Sequence, residues 1–125
     1  MAESCVFCKI ARGEIPAQMV ANNKEIAAFR DLNPQAPVHI LIIPKKHVAS
    51  LDDTADSYIL GQMMSLASAI ARQETIAKTG YRIVVNTGKE GGQAGDHLHL
   101  HLPGGRPLPW LPARPRPAVL RPSLA

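Results

Sequence analysis

The chain has 125 residues, one domain's worth of material, with 46% hydrophobic and 19% charged residues, so it can build one core and not two. No run of about 18 apolar residues is present to span a membrane, and no membrane partner is expected. The net charge of +4 suggests nucleic-acid binding, but Arg106, Arg114, Arg116 and Arg121 lie in the last 23 residues and the other 102 carry ten basic and ten acidic side chains. The body is formally neutral, without the basic face that marks most nucleic-acid binders, so no nucleic-acid partner is expected.

The N-terminal MAESCVFCKI lacks the basic segment and long apolar run of a secretory signal, which points to a cytoplasmic location. Cys5 and Cys8 are the only cysteines, and in that compartment such a pair is reduced, metal-bound or redox-active rather than a structural disulfide. The stretch CVFCKIARGEI reads as a short helix, with Val6, Phe7 and Ile10 at helical spacing and Gly13 near its end. AQMVANNKEIAAFRDL reads as two short strands joined at Asn22-Asn23. NPQAP is a loop, and VHILIIP is a β-branched strand ending at Pro44.

From Thr54 to about Thr79 the period changes. Ile59, Leu60, Met63, Met64, Ala67, Ile70 and Ala71 recur at three- and four-residue steps, predicting one long amphipathic helix. Thr54 or Asp53 is the expected cap, Gly80 the expected stop, and the methionines core filler. YRIVVNTG is a strand, KEGGQAG a glycine-rich loop and DHLHLHL the last strand. Seven of the eleven prolines fall from Pro103 onward, which argues against a helix or central strand there. Helix, strands, long helix and strands with short turns make an α+β domain with antiparallel pairing.

In a strand, His97, His99 and His101 share one face and Leu98, Leu100 and Leu102 the other. The leucines pack on the core, and the histidines form either a polar surface or a site. Such a row suits a metal, because imidazole is a common zinc ligand. It also suits nucleophilic catalysis, because a free imidazole near neutral pH is largely unprotonated. The upstream glycines, Gly88, Gly91, Gly92 and Gly95, let backbone N–H groups approach an anion. A glycine loop running into a histidine row suggests held phosphate with imidazoles aimed at phosphorus.

DHLHLHL resembles the His-φ-His-φ-His-φ-φ signature of the histidine triad (HIT) family, with Pro103 at its last, usually apolar position. CVFCKIARGEIPA, AFRDLNPQAPVHILIIPKKHV, GYRIVVNTG, GGQ and GGRPLPW are similar to the Hint-like purine nucleoside phosphoramidase branch, from about residue 5 to 110. The resemblance implies an antiparallel sheet of about five strands with one short and one long helix, paired into a two-fold homodimer. It implies a HIT domain over residues 1–110 and leaves 111–125 as a Pro/Arg-rich tail, extended or disordered.

The implied reaction is hydrolysis of the P–N bond of a purine nucleoside 5′-phosphoramidate through a nucleotidyl-histidine intermediate, with no catalytic cofactor. By resemblance His99 is the nucleophile, His101 contacts phosphate, and His97 and His39 orient the set. Asp31 and Leu32 contact the nucleoside, with Asp31 accepting from ribose hydroxyls. Phe7, Ile10 and Phe29 line the base pocket, and Asn86, Gly92, Gln93 and Ala94 lie at the phosphate. Cys5, Cys8, His47 and His97 match a structural zinc set found in some members. Alternatives are a nucleotide-binding regulatory or scaffold protein of the same fold, a zinc-binding interaction module, or a dinucleoside polyphosphate hydrolase. Ala94 stands where the family usually carries Ser or Thr, so a hydroxyl able to protonate the leaving amine is missing. A chemical step slower by about 10²-fold is expected, with substrate binding mostly kept.

Overall fold

The computed structural model describes residues 4–53 and 56–109. Five strands form one antiparallel sheet in the order β1-β2-β3-β5-β4. They are β1 (Met19–Asn22), β2 (Ile26–Arg30), β3 (Val38–Pro44), β4 (Val84–Val85) and β5 (Leu100–Gly104), with α1 (Val6–Ala11) and α2 (Ser57–Gln73) on opposite sides. This is the expected α+β arrangement. The expected tail at 111–125 lies outside the described residues.

Alternation along the strands gives the sheet two unlike faces. Ile26, Ala28, Ile40, Ile42, Leu100 and Leu102 point to α2 and pack with Met63, Ala67, Ile70 and Ala71. Ala27, Phe29, Leu41 and Ile43 point the other way and pack with Phe7, Ile10 and Ala11 of α1. Between β1 and β2 the Asn23 carboxamide oxygen accepts the N–H groups of Glu25 and Ile26, each at 2.8 Å. That is the turn expected of the Asn pair.

Several expectations need correction. The last strand begins at Leu100, not Asp96, and runs through Pro103 to Gly104 between β3 and β4. The reason is the placement of two prolines. Asp31 N–H bonds His39 C=O at 3.0 Å, so His39 bonds toward β2 and its pair with Pro103 needs no hydrogen bond. The missing Pro103 donor faces Arg82, whose N–H still reaches Pro103 C=O at 3.1 Å. Pairing on that side is correspondingly sparse. The expected strand 81–88 shrinks to Val84–Val85 plus an isolated bridge from Tyr81 to Gly104. At the other end, extending the β3–β5 register brings Leu98 opposite Pro44, which has no N–H to give. Leu98 N–H turns instead to Val48 C=O at 2.7 Å.

The long helix is shorter than expected, 57–73 rather than 54–79. Asp53 lies in a 3-10 turn, and Asp56 is the cap, accepting Ile59 N–H at 3.1 Å. Thr54 lies outside the described residues. The helix stops well before Gly80. Thr75 adopts a left-handed φ of 62°, its N–H bonds Arg72 C=O at 3.1 Å, and Ile76 N–H bonds Ala71 C=O at 3.0 Å. This is the paired-bond ending usually built on glycine, and α1 makes it with Gly13 (φ 78°) through bonds to Ile10 and Lys9. It turns Ile76 back into the core, where it is 3% exposed. Met63 is fully buried as expected, but Met64 is 49% exposed, one position round the helix from the buried stripe.

A β-branched residue in the left-handed region costs about 1–2 kcal/mol. Thr75→Gly is therefore expected to stabilise the fold by about 1 kcal/mol, read as a higher urea midpoint at unchanged slope. An unchanged or lower midpoint would contradict the strain.

Candidate active site

The face of the sheet opposite α2 carries the histidines. His101 comes from β5, His39 from β3, and His97 and His99 from the segment that leads into β5. Leu98, Leu100 and Leu102 are buried in the core behind them, so the expected split into a leucine face and a histidine face holds. His97, His99 and His39 are nearly buried, at 1%, 5% and 7% exposure. The rings of His99 and His101 lie 4.9 Å apart, and Phe7 from α1 stands edge-on to His99 at 5.0 Å.

Each ring has a backbone or histidine partner that dictates where its proton sits. His99 Nδ1 lies 2.7 Å from the His97 carbonyl oxygen. A carbonyl only accepts, so Nδ1 carries a proton, and in the neutral ring Nε2 is the nitrogen with the lone pair. His39 Nδ1 accepts Gln35 N–H at 3.0 Å, which places the proton of neutral His39 on Nε2, 3.0 Å from His101 Nδ1. When that proton is given to His101, His101 accepts at Nδ1 and carries its own proton on Nε2. Two neighbouring rings thus have opposite polarity: His99 presents a lone pair at Nε2, and His101 a donor. Burial, with like charge from His99 and His39, pushes the His101 pKa down to about 4. Burial also lowers His39, against the opposing pull of Asp31. The pair is neutral at pH 7, as this donor chain requires.

In front of these rings lies a cavity of about 270 Å³. Its lining includes Phe7, Ile10, Phe29, Asp31, Leu32, Ala94, His99 and His101, all singled out in the sequence as site residues, and Val6, read there only as part of the helix, together with Ile15, Pro16, Ala17 and Leu41, which were not singled out. The latter are ordinary apolar residues with no distinguishing pattern. Phe29 and Leu41 also pack beneath α1, so core and cavity wall are the same residues.

Asn86, Gly92 and Gln93 are not among the lining residues. Asn86 Nδ2 donates to Gly91 C=O at 2.8 Å. Gln93 Oε1 accepts Gly88 N–H at 2.9 Å, and Gln93 Nε2 donates to Ala49 C=O at 2.7 Å and Gly95 C=O at 3.0 Å. The N–H groups of Gly92 and Gln93 bond Lys89 and Gly88 carbonyls. These groups brace the glycine loop against the segment after β3.

On the far side of Phe7 and Ala94 a second cavity of about 360 Å³ reaches Cys5, His47 and His97. The ligand atoms of Cys5, Cys8, His47 and His97 all lie within 4.8 Å of one another. Cys5 Sγ is 3.2 Å from His97 Nδ1, and Cys8 Sγ is 3.2 Å from His47 Nδ1 and 3.5 Å from His97 Nδ1. The edges of a zinc tetrahedron with two sulfur and two nitrogen ligands are about 3.3–3.8 Å, so the set fits the ion. His97 Nε2–H donates to the Pro44 carbonyl at 2.8 Å, turning the Nδ1 lone pair toward the thiols as a metal ligand requires. Burial, aided by hydrogen bonding and charge from Cys5, raises the Cys8 pKa, so the thiol stays protonated until a metal displaces the proton.

Asp31, His39 and His101 form a second close set, but the Gln35 N–H on His39 Nδ1 keeps a proton on the nitrogen that would have to ligate. That set is built to share protons. Sequence reasoning missed the Gln35 N–H and the Pro44 carbonyl, because backbone groups leave no residue-type signal.

The lowered His101 pKa makes stability depend on pH. The unfolded imidazole takes up a proton near pH 6.5, whereas folded His101 does so only near pH 4. Its contribution is therefore whole above pH 6.5 and lost as pH falls from 6.5 to 4, by up to about 3 kcal/mol. His101→Gln is expected to flatten the urea-measured stability profile across this window, and an unchanged profile would refute the assignment.

The HIT domain family model matches residues 12–108. The chain is 48% identical over 110 residues to the purine nucleoside phosphoramidase of Escherichia coli K12, covering 86% of this chain and 92% of that one. A HIT family hydrolase from Legionella pneumophila superposes with a TM-score of 0.85 at 50% identity, covering 88% of this chain and all of the other. A histidine triad nucleotide-binding protein from Candida albicans superposes at 0.75 with 32% identity, over 90% of this chain and 86% of that one. The chain belongs to the HIT domain family.

Proposed function

We propose that the chain is a hydrolase that cleaves the P–N bond of purine nucleoside 5′-phosphoramidates. The observation that carries this reading is the opposed polarity of His99 and His101 on one cavity wall. His99 Nε2 attacks the α-phosphorus and a P–N(imidazole) bond forms. The substrate P–N bond breaks and the amine leaves, taking a proton from solvent. Water then attacks the nucleotidyl-histidine, gives the nucleotide a hydroxyl oxygen and a proton to solvent, and restores the imidazole. His101 Nε2–H donates to a phosphoryl oxygen and stabilises the charge that builds there. The apolar wall of Phe7, Ile10 and Phe29 suits a purine face, and Asp31 suits ribose hydroxyls. The named activity of the Escherichia coli relative supports the same reading.

A single-turnover assay on a fluorogenic adenosine phosphoramidate tests this. Wild type is expected to be active and His99→Ala to fall to background. Ala94→Ser is expected to raise the rate by up to about 10²-fold. Activity that survives His99→Ala would overturn the covalent route, and no gain from the serine would remove the explanation offered for Ala94.

The same reading includes a structural zinc held by Cys5, Cys8, His47 and His97. The ion would clamp α1 to the segment ahead of β5, with the chemistry left to His99. It includes a two-fold homodimer, favoured by the 60% exposed Tyr58 and 49% exposed Met64 on α2 and by the short edge strand β4. Free cysteines among imidazoles suit a reducing compartment, the cytoplasm. Among the described residues no helix is long and apolar enough to cross a membrane. Native mass spectrometry checks zinc and assembly together. Two chains with one zinc each are expected, and zinc is expected to be lost in Cys8→Ser. A metal-free monomer would contradict both.

A further inference from the structure

The two oxygens of Asp31 are differently employed. Oδ1 accepts Asn33 N–H at 2.8 Å. Oδ2 lies 3.4 Å from His39 Nε2 and belongs to a residue that lines the nucleotide cavity. The same His39 nitrogen lies 3.0 Å from His101 Nδ1. Since Gln35 N–H occupies His39 Nδ1, neutral His39 has one ring proton, on Nε2, and two acceptors facing it.

Which acceptor takes that proton decides what His101 can do. Given to His101, the proton keeps Nδ1 as an acceptor and leaves Nε2–H aimed at phosphate. Drawn to Asp31 by a small rotation of the His39 ring, it frees His101 Nδ1 to hold its own proton. Nε2 then becomes a lone pair, which repels a phosphoryl oxygen. A carboxylate is the stronger acceptor but stands at the longer distance, so the two acceptors compete for one proton.

We propose that Asp31 is a positioning residue through which the sugar sets the phosphate donor. A ribose hydroxyl donating to Oδ2 withdraws the carboxylate from His39, and the His39 proton then goes wholly to His101. This rests on the nucleoside reading above and extends it. Ribose hydroxyls are read in the chemical step through His101, in addition to any contribution to binding. A nucleoside lacking them occupies the cavity but leaves His101 in mixed tautomers.

Imidazole ¹⁵N shifts of His101 at pH 7.5 test this directly. The free protein is expected to show averaged shifts. Adenosine is expected to drive His101 to the Nε2–H form, and 2′,3′-dideoxyadenosine to bind without doing so. Asp31→Ala is expected to show the Nε2–H form with no ligand, because the competing acceptor is gone. In steady state, kcat for adenosine 5′-phosphoramidate is expected to exceed that of its 2′,3′-dideoxy analogue about tenfold in wild type, and the two to converge in Asp31→Ala. Wild-type His101 already wholly Nε2–H, Asp31→Ala shifts like wild type, or sugar discrimination confined to KM would each overturn the inference. If adenosine moves the Phe29 resonances but not the His101 nitrogens, the inference fails and the nucleoside reading stands. If it moves neither, both fail.

Discussion

A neutral imidazole has one proton and one lone pair, and here the main chain decides which nitrogen holds which. The His97 carbonyl takes the His99 proton, the Gln35 N–H excludes a proton from one side of His39, and the Pro44 carbonyl takes the proton of His97. Main-chain groups in a sheet or a pinned loop move little, so these assignments are as rigid as the fold. The chemistry of the site follows from that rigidity. Chemically identical side chains thereby present their lone pairs differently, at Nε2 in neutral His99 and at Nδ1 in His39 and His97, without any difference in residue type.

The sheet supplies these groups by interrupting its own ladder. Pro44 ends the pairing of β3 with the approach to β5, since it has no N–H, and its carbonyl is left to hold the His97 ring. The released segment turns Leu98 toward Val48, which lets His97 reach Cys5, Cys8 and His47. Gln35 is fixed from the other direction. Arg106 Nη2 donates to its carbonyl at 2.7 Å, so the residue whose N–H addresses His39 is held at its following peptide by the segment after β5. Local departures from regular pairing thus do the positioning, and the regular parts of the sheet give them a frame.

Much of this was legible in the sequence. Period-2 alternation around the histidines separated core leucines from site histidines, and the 3.6-residue period found the long helix. The limits of elements were less legible. Both misplaced strand ends trace to prolines whose effect depends on which neighbour they face, and a sequence does not show that. The helix end was hidden because Thr75 does the work of a glycine. The residues expected at the phosphate, Asn86, Gly92 and Gln93, also hold the glycine loop together and tie it to Ala49 through Gln93, a bracing role that only coordinates reveal. The backbone partners of the imidazoles were out of reach because every residue has the same main chain.

The unlike faces of the sheet leave this protein with unequal freedom to vary. Against α2 the requirement is volume and shape. Ile26, Ile40, Ile42, Leu100 and Leu102 belong to one apolar cluster, and coordinated exchanges that conserve volume are tolerated in such cores. On the other face Phe29 and Leu41 answer to two constraints at once, filling the space under α1 and shaping the cavity. Substitution is therefore expected to be tolerated more readily on the α2 side than on the cavity side. Stabilising variants of this enzyme are best sought behind the sheet, where packing can change without altering what the histidines see.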